Sequence, residues 1–426
     1  MASFFGIFAI MLATGVPIAL ALGVGGVAYL YFSGNGMLML ALPQRMMAGV
    51  DQFILLTIPL FILAGMLMNI GGVTDRIVVF ARSLIGHRPG GLSSVTVLSS
   101  GFFAGIAGSA TAEASALGSI LIPSMAKQGI PPAYAAALVG VSAVMGGIIP
   151  PSITIIIYGV LSGTSIGQLF LAGVGPGILI ALGLLAYASW RARRDGFPVT
   201  AKESWAERGR STIRTLPALF LPLIILVGIR AGIFTATEAA GVAVAYATII
   251  GLIYRDLTFE RIWGALVAAA IVSSAILFIT AMANIVAFVF TLEGVPAAIA
   301  KGVLSISDNP LLILLMLNLV LLVLGMFLEP ISILILTMPI LLQFLKLIGM
   351  DPVQFGIMVI LNAVIGMATP PVGILLFIVC AVSGQPLTAI IKEAVPLIAI
   401  CIVVLALVAL VPSASLFLSH AVAATG

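Results

Sequence analysis

Apolar residues run through this chain in blocks of a span's length, and polar residues punctuate them at a few recurring places. No aspartate, glutamate, lysine or arginine occurs in 1–44, 128–190, 262–292, 309–328, 352–391 or 394–426. One crossing of a bilayer needs about 20 apolar residues, so several of these stretches hold one or two crossings. In the second half the pattern predicts spans near 215–231, 235–254 and 262–291. An amphipathic arm at 293–308 follows, then short helices at 310–327 and 329–346, a span interrupted near 366–373 and a last span at 388–412. The first half repeats this order: 3–14, 16–32, 53–71, an arm at 73–87, short helices at 91–107 and 110–127, an interrupted span at 132–162, and 168–190. Segment 3–14 is short for a perpendicular crossing.

The repetition extends to single residues. Glu113 precedes Pro123 by the same interval as Glu329 precedes Pro339, and Pro132 precedes Pro150-Pro151 by the same interval as Pro352 precedes Pro370-Pro371. Gly146 and Gly366 stand four positions before those pairs, and Ser162-Gly163 and Ser383-Gly384 follow them. Proline lacks an N–H and clashes with the preceding turn, so each pair breaks its helix and frees carbonyls just upstream. Matched broken helices in two halves point to the binding site of a secondary transporter.

Composition agrees. The chain is 62% hydrophobic and 8% charged, with mean hydropathy +1.31, against about 25% charged in an ordinary soluble domain. The fold class expected is an all-α polytopic membrane protein of two inverted repeats, each with a re-entrant helical hairpin and a broken transmembrane helix. The first repeat is residues 1–190 (hairpin about 91–127, broken helix 132–162). A basic linker covers 191–214, and the second repeat covers 215–426 (hairpin about 310–346, broken helix 352–383).

Charge supplies the inversion. The linker holds Arg191, Arg193, Arg194, Lys202, Arg208, Arg210 and Arg214 against Asp195, Glu203 and Glu207. Beside membrane spans this run marks a cytoplasmic loop rather than a nucleic-acid surface. Threading the chain from there puts Arg76, Arg82, Arg88, Lys127, Arg255, Arg261 and Lys392 on the same side, and leaves Arg45, Arg230, Lys301 and Lys346 on the other. Each hairpin then opens to its own side, and both termini lie outside the cytoplasm. The N-terminus has no basic leader, so no cleavable signal peptide is expected.

The residues at the breaks suggest what is bound. Non-helical backbone at membrane depth must be satisfied by protein, water or an ion. The first tip, Ser99 to Glu113, is rich in glycine, serine and threonine, and its partner is Gly146-Gly147-Ile148-Ile149-Pro150-Pro151. The second tip is Gly325 to Pro330, with Asn362 to Gly373, containing Gly366-Met367-Ala368-Thr369-Pro370-Pro371, as partner. Small residues also serve close helix packing. Glu113 and Glu329 are intramembrane carboxylates, open to roles as ion ligands, proton carriers or helix caps, and capping alone accounts for both. Asp75 is expected to cap the first arm, and Thr235 with Glu238 forms a capping-box spacing. Cys380 and Cys401 read as small buried hydrophobes. His87 and His420 lack metal-ligand spacing, and no HExxH, GxSxG or GxxxxGK[ST] occurs. No transition metal, organic cofactor, paired catalytic set or ATP hydrolysis by this chain is therefore expected.

Together the Gly108-Ser109-Ala110-Thr111-Ala112-Glu113 tip, Ile130-Pro131-Pro132, Ile149-Pro150-Pro151-Ser152, Gly366-Met367-Ala368-Thr369-Pro370-Pro371 and the N-terminal Gly15-Val16-Pro17-Ile18-Ala19 resemble the large membrane subunit (DctM-like) of tripartite ATP-independent periplasmic (TRAP) transporters. The resemblance covers nearly the whole chain. It implies a Na⁺-driven symporter importing organic acids of C4-dicarboxylate or sialic-acid type across the bacterial inner membrane by an elevator mechanism. It also implies a separate small four-helix membrane subunit and a periplasmic substrate-binding protein as partners. Carried onto this sequence, one Na⁺ site lies among Gly105, Ser109, Gly146, Gly147 and Pro150, and a second among Gly325, Gly366, Met367 and Thr369. Ser100, Thr111, Ser152 and Thr154 are the substrate contacts expected. The alternative is a stand-alone ion-coupled dicarboxylate or anion permease of the wider ion-transporter superfamily.

Overall fold

A computed structural model describes residues 2–88, 90–199 and 202–423, with the His420 side chain outside the described set. Among these residues there is no strand. The first half comprises α1 (Ala2–Ala13), α2 (Ile18–Phe32), α3 (Leu42–Val50), α4 (Thr57–Ile70), α5 (Val73–Ile85), α6 (Gly91–Ala107), α7 (Ala110–Lys127), α8 (Pro132–Ser142), α9 (Ile153–Ser162) and α10 (Ile166–Asp195). The second comprises α11 (Trp205–Arg230), α12 (Ala236–Ile253), α13 (Phe259–Leu292), α14 (Val295–Leu304), α15 (Pro310–Phe327), α16 (Pro330–Ile348), α17 (Pro352–Gly366), α18 (Ile374–Ser383), α19 (Leu387–Leu410) and α20 (Ser413–Ala423). Among the described residues, eight helices are long and apolar enough to cross a membrane: α4 with the 3₁₀ turn before it, α10, α11, α12, α13, α15, α16 and α19.

Local chemistry sets most of these boundaries. Helix α12 starts at the expected capping box: Thr235 Oγ1 accepts the Glu238 N–H at 3.3 Å, and the Glu238 carboxylate accepts the Thr235 N–H at 2.8 Å. A second box, Ser204 with Glu207, starts α11 inside the basic stretch. Gly196, left-handed at φ +68°, ends α10 just upstream. The stretch 191–214 is therefore mostly a helical extension of the two flanking spans, with only 196–204 between them. Helix α3 stands where no element is expected, because nine residues holding Pro43, Gln44 and Arg45 are too short and polar to read as a span. Asp75 lies in the first turn of α5, but that helix has no side-chain cap; Gly72, left-handed, occupies the position instead.

Helices α8 and α17 form the centre of the molecule. Every residue from Tyr134 to Met145 is buried, and so is every residue from Val353 to Ala368. Helices apolar all round belong in such a place. Packing across the halves is reciprocal: α8 lies on α19 and α17 on α10, α7 lies on α18 and α16 on α9, and α8 lies on α18 and α17 on α9.

Polar contacts gather one end of the bundle. Arg76 pairs with Asp256 at 2.9 Å and lies 3.9 Å from the Tyr254 ring centre, Arg191 reaches Glu393 at 3.0 Å, and Arg208 lies 3.1 Å from His87 Nδ1. Desolvation, and then the Arg208 guanidinium, hold the His87 imidazole below its usual pKa. The imidazole is then neutral and accepts from Arg208. These bonds draw together the segments assigned to the cytoplasmic side by charge.

Candidate functional site at the two hairpin tips

Both short-helix pairs turn back inside the protein, and each tip is fastened to the break of its own half. Gly108, left-handed at φ +61°, makes the first turn between α6 and α7. Its carbonyl accepts the N–H of Ile153, two residues beyond Pro151, at 3.2 Å. In the second half the Met326 carbonyl accepts the N–H of Gly373, two residues beyond Pro371, at 3.1 Å. Each Pro-Pro pair thus ends in a donor spent on the neighbouring tip. Both pairs contain a cis peptide bond.

The two tips then meet. A cavity of about 60 Å³ is lined by Gly108, Ser109 and Thr111 of the first tip and by Glu329, Pro330 and Ile331 of the second. Gly147, Ile153 and Thr154 from the first break, and Val364 and Met367 from the second, complete the wall. A larger space of about 360 Å³ continues from Ser109 and Thr111 toward Gly65 and Asn69 of α4 and Val272 of α13. Thr111 faces both.

The first set of expected ion ligands is brought together. A Cβ placed on Gly105 would lie 3.5 Å from the Pro150 carbonyl, and one on Gly146 would lie 3.2 Å from the Ser109 carbonyl. Ser109 caps α7, accepting from the Ala112 N–H at 3.5 Å, and its hydroxyl is 3.0 Å from that of Thr111. In the second set Gly325 and Gly366 press backbone on backbone: a Cβ on Gly325 would lie 2.8 Å from the Gly366 Cα and 3.0 Å from the Ala363 carbonyl. Close helix packing is therefore a role of this pair, as small residues allow. Met367 and Thr369 follow directly, the Thr369 hydroxyl donating to the Ile365 carbonyl at 2.8 Å.

Carbonyl bookkeeping sharpens the assignment. Among the described residues the carbonyls of Gly105, Gly146, Pro150, Gly325 and Thr369 accept no backbone hydrogen bond. Gly147 already accepts from the Ser152 hydroxyl at 2.7 Å, Gly366 from the Thr369 N–H and Met367 from the Leu375 N–H, both at 2.9 Å. Unbonded carbonyls at membrane depth need a partner. A set made only of oxygens suits a hard cation, so these residues fit Na⁺.

The structure corrects the expectations at Glu113, Ser100, Glu329 and Ser152. Glu113 does not cap α7: Ser109 does, and Glu113 sits one turn further in, fully buried. Ser100, expected as a substrate contact, is fully buried with its hydroxyl beside the Glu113 carboxyl and lines neither cavity at the tips. Gly146 leaves the space for that carboxyl, since a Cβ there would lie 2.5 Å from Oε2. Glu329 does hold the N-cap position of α16, but without a side-chain bond; it is exposed and lines the central cavity. Ser152 is no free substrate contact, because it is fully buried and caps α9, accepting from the Ile155 N–H at 3.4 Å. Thr111 and Thr154 do line the cavity. Asn362, which opens the segment of the second break, is buried and its amide donates at 2.8 Å to both the carbonyl and the side-chain oxygen of Asn318.

Known proteins share this chain's sequence over nearly its whole length. The sialic acid TRAP transporter large permease protein SiaM of Vibrio cholerae is 37% identical over 409 residues, covering 96% of each chain. The C4-dicarboxylate TRAP transporter large permease protein DctM of Rhodobacter capsulatus is 34% identical over 432 residues, covering 98% of each. The crystal structure of the Alcanivorax borkumensis YdaH transporter superposes with a TM-score of 0.61 over 95% of this chain and 96% of that one; at 14% identity the likeness is one of fold. The family description "Tripartite ATP-independent periplasmic transporter, DctM component" matches residues 5–414. This chain belongs to that family of multi-pass transporter permeases.

Proposed function

We propose that this permease imports an organic acid in symport with Na⁺, working with a periplasmic substrate-binding protein and a small four-helix membrane subunit in the bacterial inner membrane. The observation that carries the reading is the meeting of both hairpin tips and both helix breaks around one cavity. The sialic-acid and C4-dicarboxylate relatives support the substrate class. Na⁺ is held by the unbonded carbonyls of Gly105, Gly146 and Pro150 with Ser109 on one side, and by those of Gly325 and Thr369 on the other. Its charge offsets that of the substrate's carboxylate, since among the described residues no arginine lines the space at the tips. Thr111 and Thr154 orient the substrate by hydroxyl contacts.

Because each tip is fastened to its own break, hairpin and broken helix travel as one body against a scaffold that includes α4 and α13. Such a body moves by an elevator stroke. The halves are inverted repeats in this reading, the first hairpin opening to the cytoplasm and the second to the periplasm. The reciprocal packing of α8 on α19 and α17 on α10 supports that symmetry.

Reconstitution tests the proposal. Liposomes holding this chain with its small subunit and binding protein should accumulate sialic acid or succinate only under an inward Na⁺ gradient. Uptake by this chain alone would overturn the tripartite reading in favour of a stand-alone permease, and uptake indifferent to Na⁺ would overturn the coupling.

A further inference from the structure

A second polar space lies between α13, α14 and α16, at the opposite end of α16 from the hairpin tip. It has a volume of about 780 Å³, and Ser162 at the end of α9 closes one side. Helix α13 contributes Thr280, Asn284 and Thr291, and helix α16 contributes Gln343 and Lys346. Pro339 lies in the same wall, and its missing N–H strips the Ile335 carbonyl, also in the wall, of its helical donor. Asn284 Nδ2 donates to the Thr280 carbonyl at 2.9 Å, which leaves its Oδ1 facing outward from that bond. Among the described residues Gln343 makes no side-chain hydrogen bond and Lys346 no ion pair.

A neighbouring cavity of about 410 Å³ shares Asn284, Ala287 and Thr291 and ends on Arg45, whose guanidinium lies 4.8 Å from the Phe288 ring centre. No aspartate or glutamate lines either space among the described residues. Charge placement along the sequence leaves only four basic residues on the non-cytoplasmic side, and two of them, Arg45 and Lys346, converge here. Glu293 stands between the lining residues Leu292 and Gly294, with its carboxylate beside Tyr29. A polar hollow lined by basic and no acidic side chains concentrates anions. Its volume lies within the range of sites for drug-sized ligands, about 300–1,000 Å³, and is more than a four-carbon diacid fills. Its lining of amides, hydroxyls and a freed carbonyl suits a ligand rich in hydroxyl groups.

We infer that this space is an outer vestibule that holds a polyhydroxylated organic monocarboxylate before it reaches the hairpin tips. Lys346 takes the carboxylate. Asn284, Gln343 and the Ile335 carbonyl take hydroxyls, and Arg45 draws the anion in from the adjoining hollow. The ligand's identity rests on the proposed organic-acid transport, while the electrostatic part stands without it.

The test uses the full chain with its small subunit in lipid nanodiscs. Cys380 and Cys401 are replaced by serine, and a single cysteine is placed by Ala287→Cys, at the wall shared by both spaces. Rates of modification are compared for an anionic and a cationic methanethiosulfonate of matched size. The anionic reagent should react faster by about tenfold, the lower end of electrostatic rate enhancement in charged clefts. Lys346→Gln with Arg45→Gln should bring the two rates close to equality, and Lys346→Arg should keep the preference. Equal rates in the parent protein, or a preference untouched by the double change, would overturn the vestibule. Sialic acid should then slow the modification where succinate does not, and Lys346→Gln should abolish that protection. Protection by succinate alone, or by neither, would overturn the ligand class. Sodium-driven uptake distinguishes the two proposals: uptake that persists without protection sinks only this one, while a charge preference without Na⁺-driven uptake sinks only the proposed coupling.

Discussion

Each hairpin carries a glutamate at the same distance before a proline inside its second helix, yet counted back from the Pro-Pro break Glu329 matches Ser109 rather than Glu113, and the two glutamates have different surroundings. Glu113 is fully buried, beside the Ser100 hydroxyl and pressed against Gly146, while Glu329 lines the shared cavity. The backbones explain the split. The first tip turns through a left-handed Gly108 and starts its helix on Ser109, so Glu113 falls one turn inside. The second passes through an extended Leu328 and starts its helix on Glu329 itself, with Pro330 as the first helical residue. Matching spacing preserves where helices stop and start relative to the breaks. It does not preserve what a given side chain faces. The glycines differ likewise: Gly146 makes room for a carboxyl group, whereas Gly325 and Gly366 make room for each other's backbone.

Four sets of substitutions test whether the two tips differ in this way. Large effects are expected from Gly366→Ala and Gly325→Ala, because backbone cannot yield as a flexible side chain can. Overpacking of this kind costs about 1–3 kcal/mol or more, and thermal unfolding of the purified protein should show it, together with loss of uptake. A tolerated Gly325→Ala would mean the two helices are not in backbone contact. Next is Glu113→Gln against Glu113→Lys. The amide keeps the shape of the side chain and carries no charge, and should leave the melting temperature near that of the parent. The lysine buries a cation with no counter-charge and should prevent folding, as an unpaired buried charge costs several kcal/mol. The same pair of changes at Glu329 should leave stability nearly unaltered, and equal damage at both positions would erase the contrast. Third, Ser109→Ala removes the first tip's cap at about 1 kcal/mol and should weaken Na⁺ dependence beyond that loss. The smallest change is Thr235→Ala, which removes a cap of similar worth remote from the tips; it should lower stability by about 1 kcal/mol and leave the Na⁺ response intact.

Much of this architecture was legible in the sequence because the chain marks its own turns. Pro132, Pro310, Pro330 and Pro352 each stand at the first position of a helix, and Gly108, Gly163, Gly349 and Gly384 each end one in a left-handed conformation. The bounds of both hairpins and both breaks follow from those signals. Helix α3 was not legible, since nine mixed residues carry too weak a period. The direction of a side chain was harder still. The burial of Glu113 depends on a turn geometry one residue long, and the capture of Ser152 by the Gly147 carbonyl depends on how the Pro-Pro pair folds back. The convergence of Arg45 and Lys346 needed the packing of α3 and α16 on the same α13, which no local pattern encodes.

In the proposed function Na⁺ is held by the unbonded carbonyls of the two tips and the two breaks. The most direct test is thermal unfolding of the purified permease in sodium chloride against choline chloride at equal ionic strength. A ligand at 100 times its dissociation constant stabilises a protein by about 2.7 kcal/mol, so the account predicts a clear Na⁺-specific rise in melting temperature, reduced in Ser109→Ala and in Thr369→Val and unchanged in Thr235→Ala. Identical melting temperatures in the two salts would contradict it.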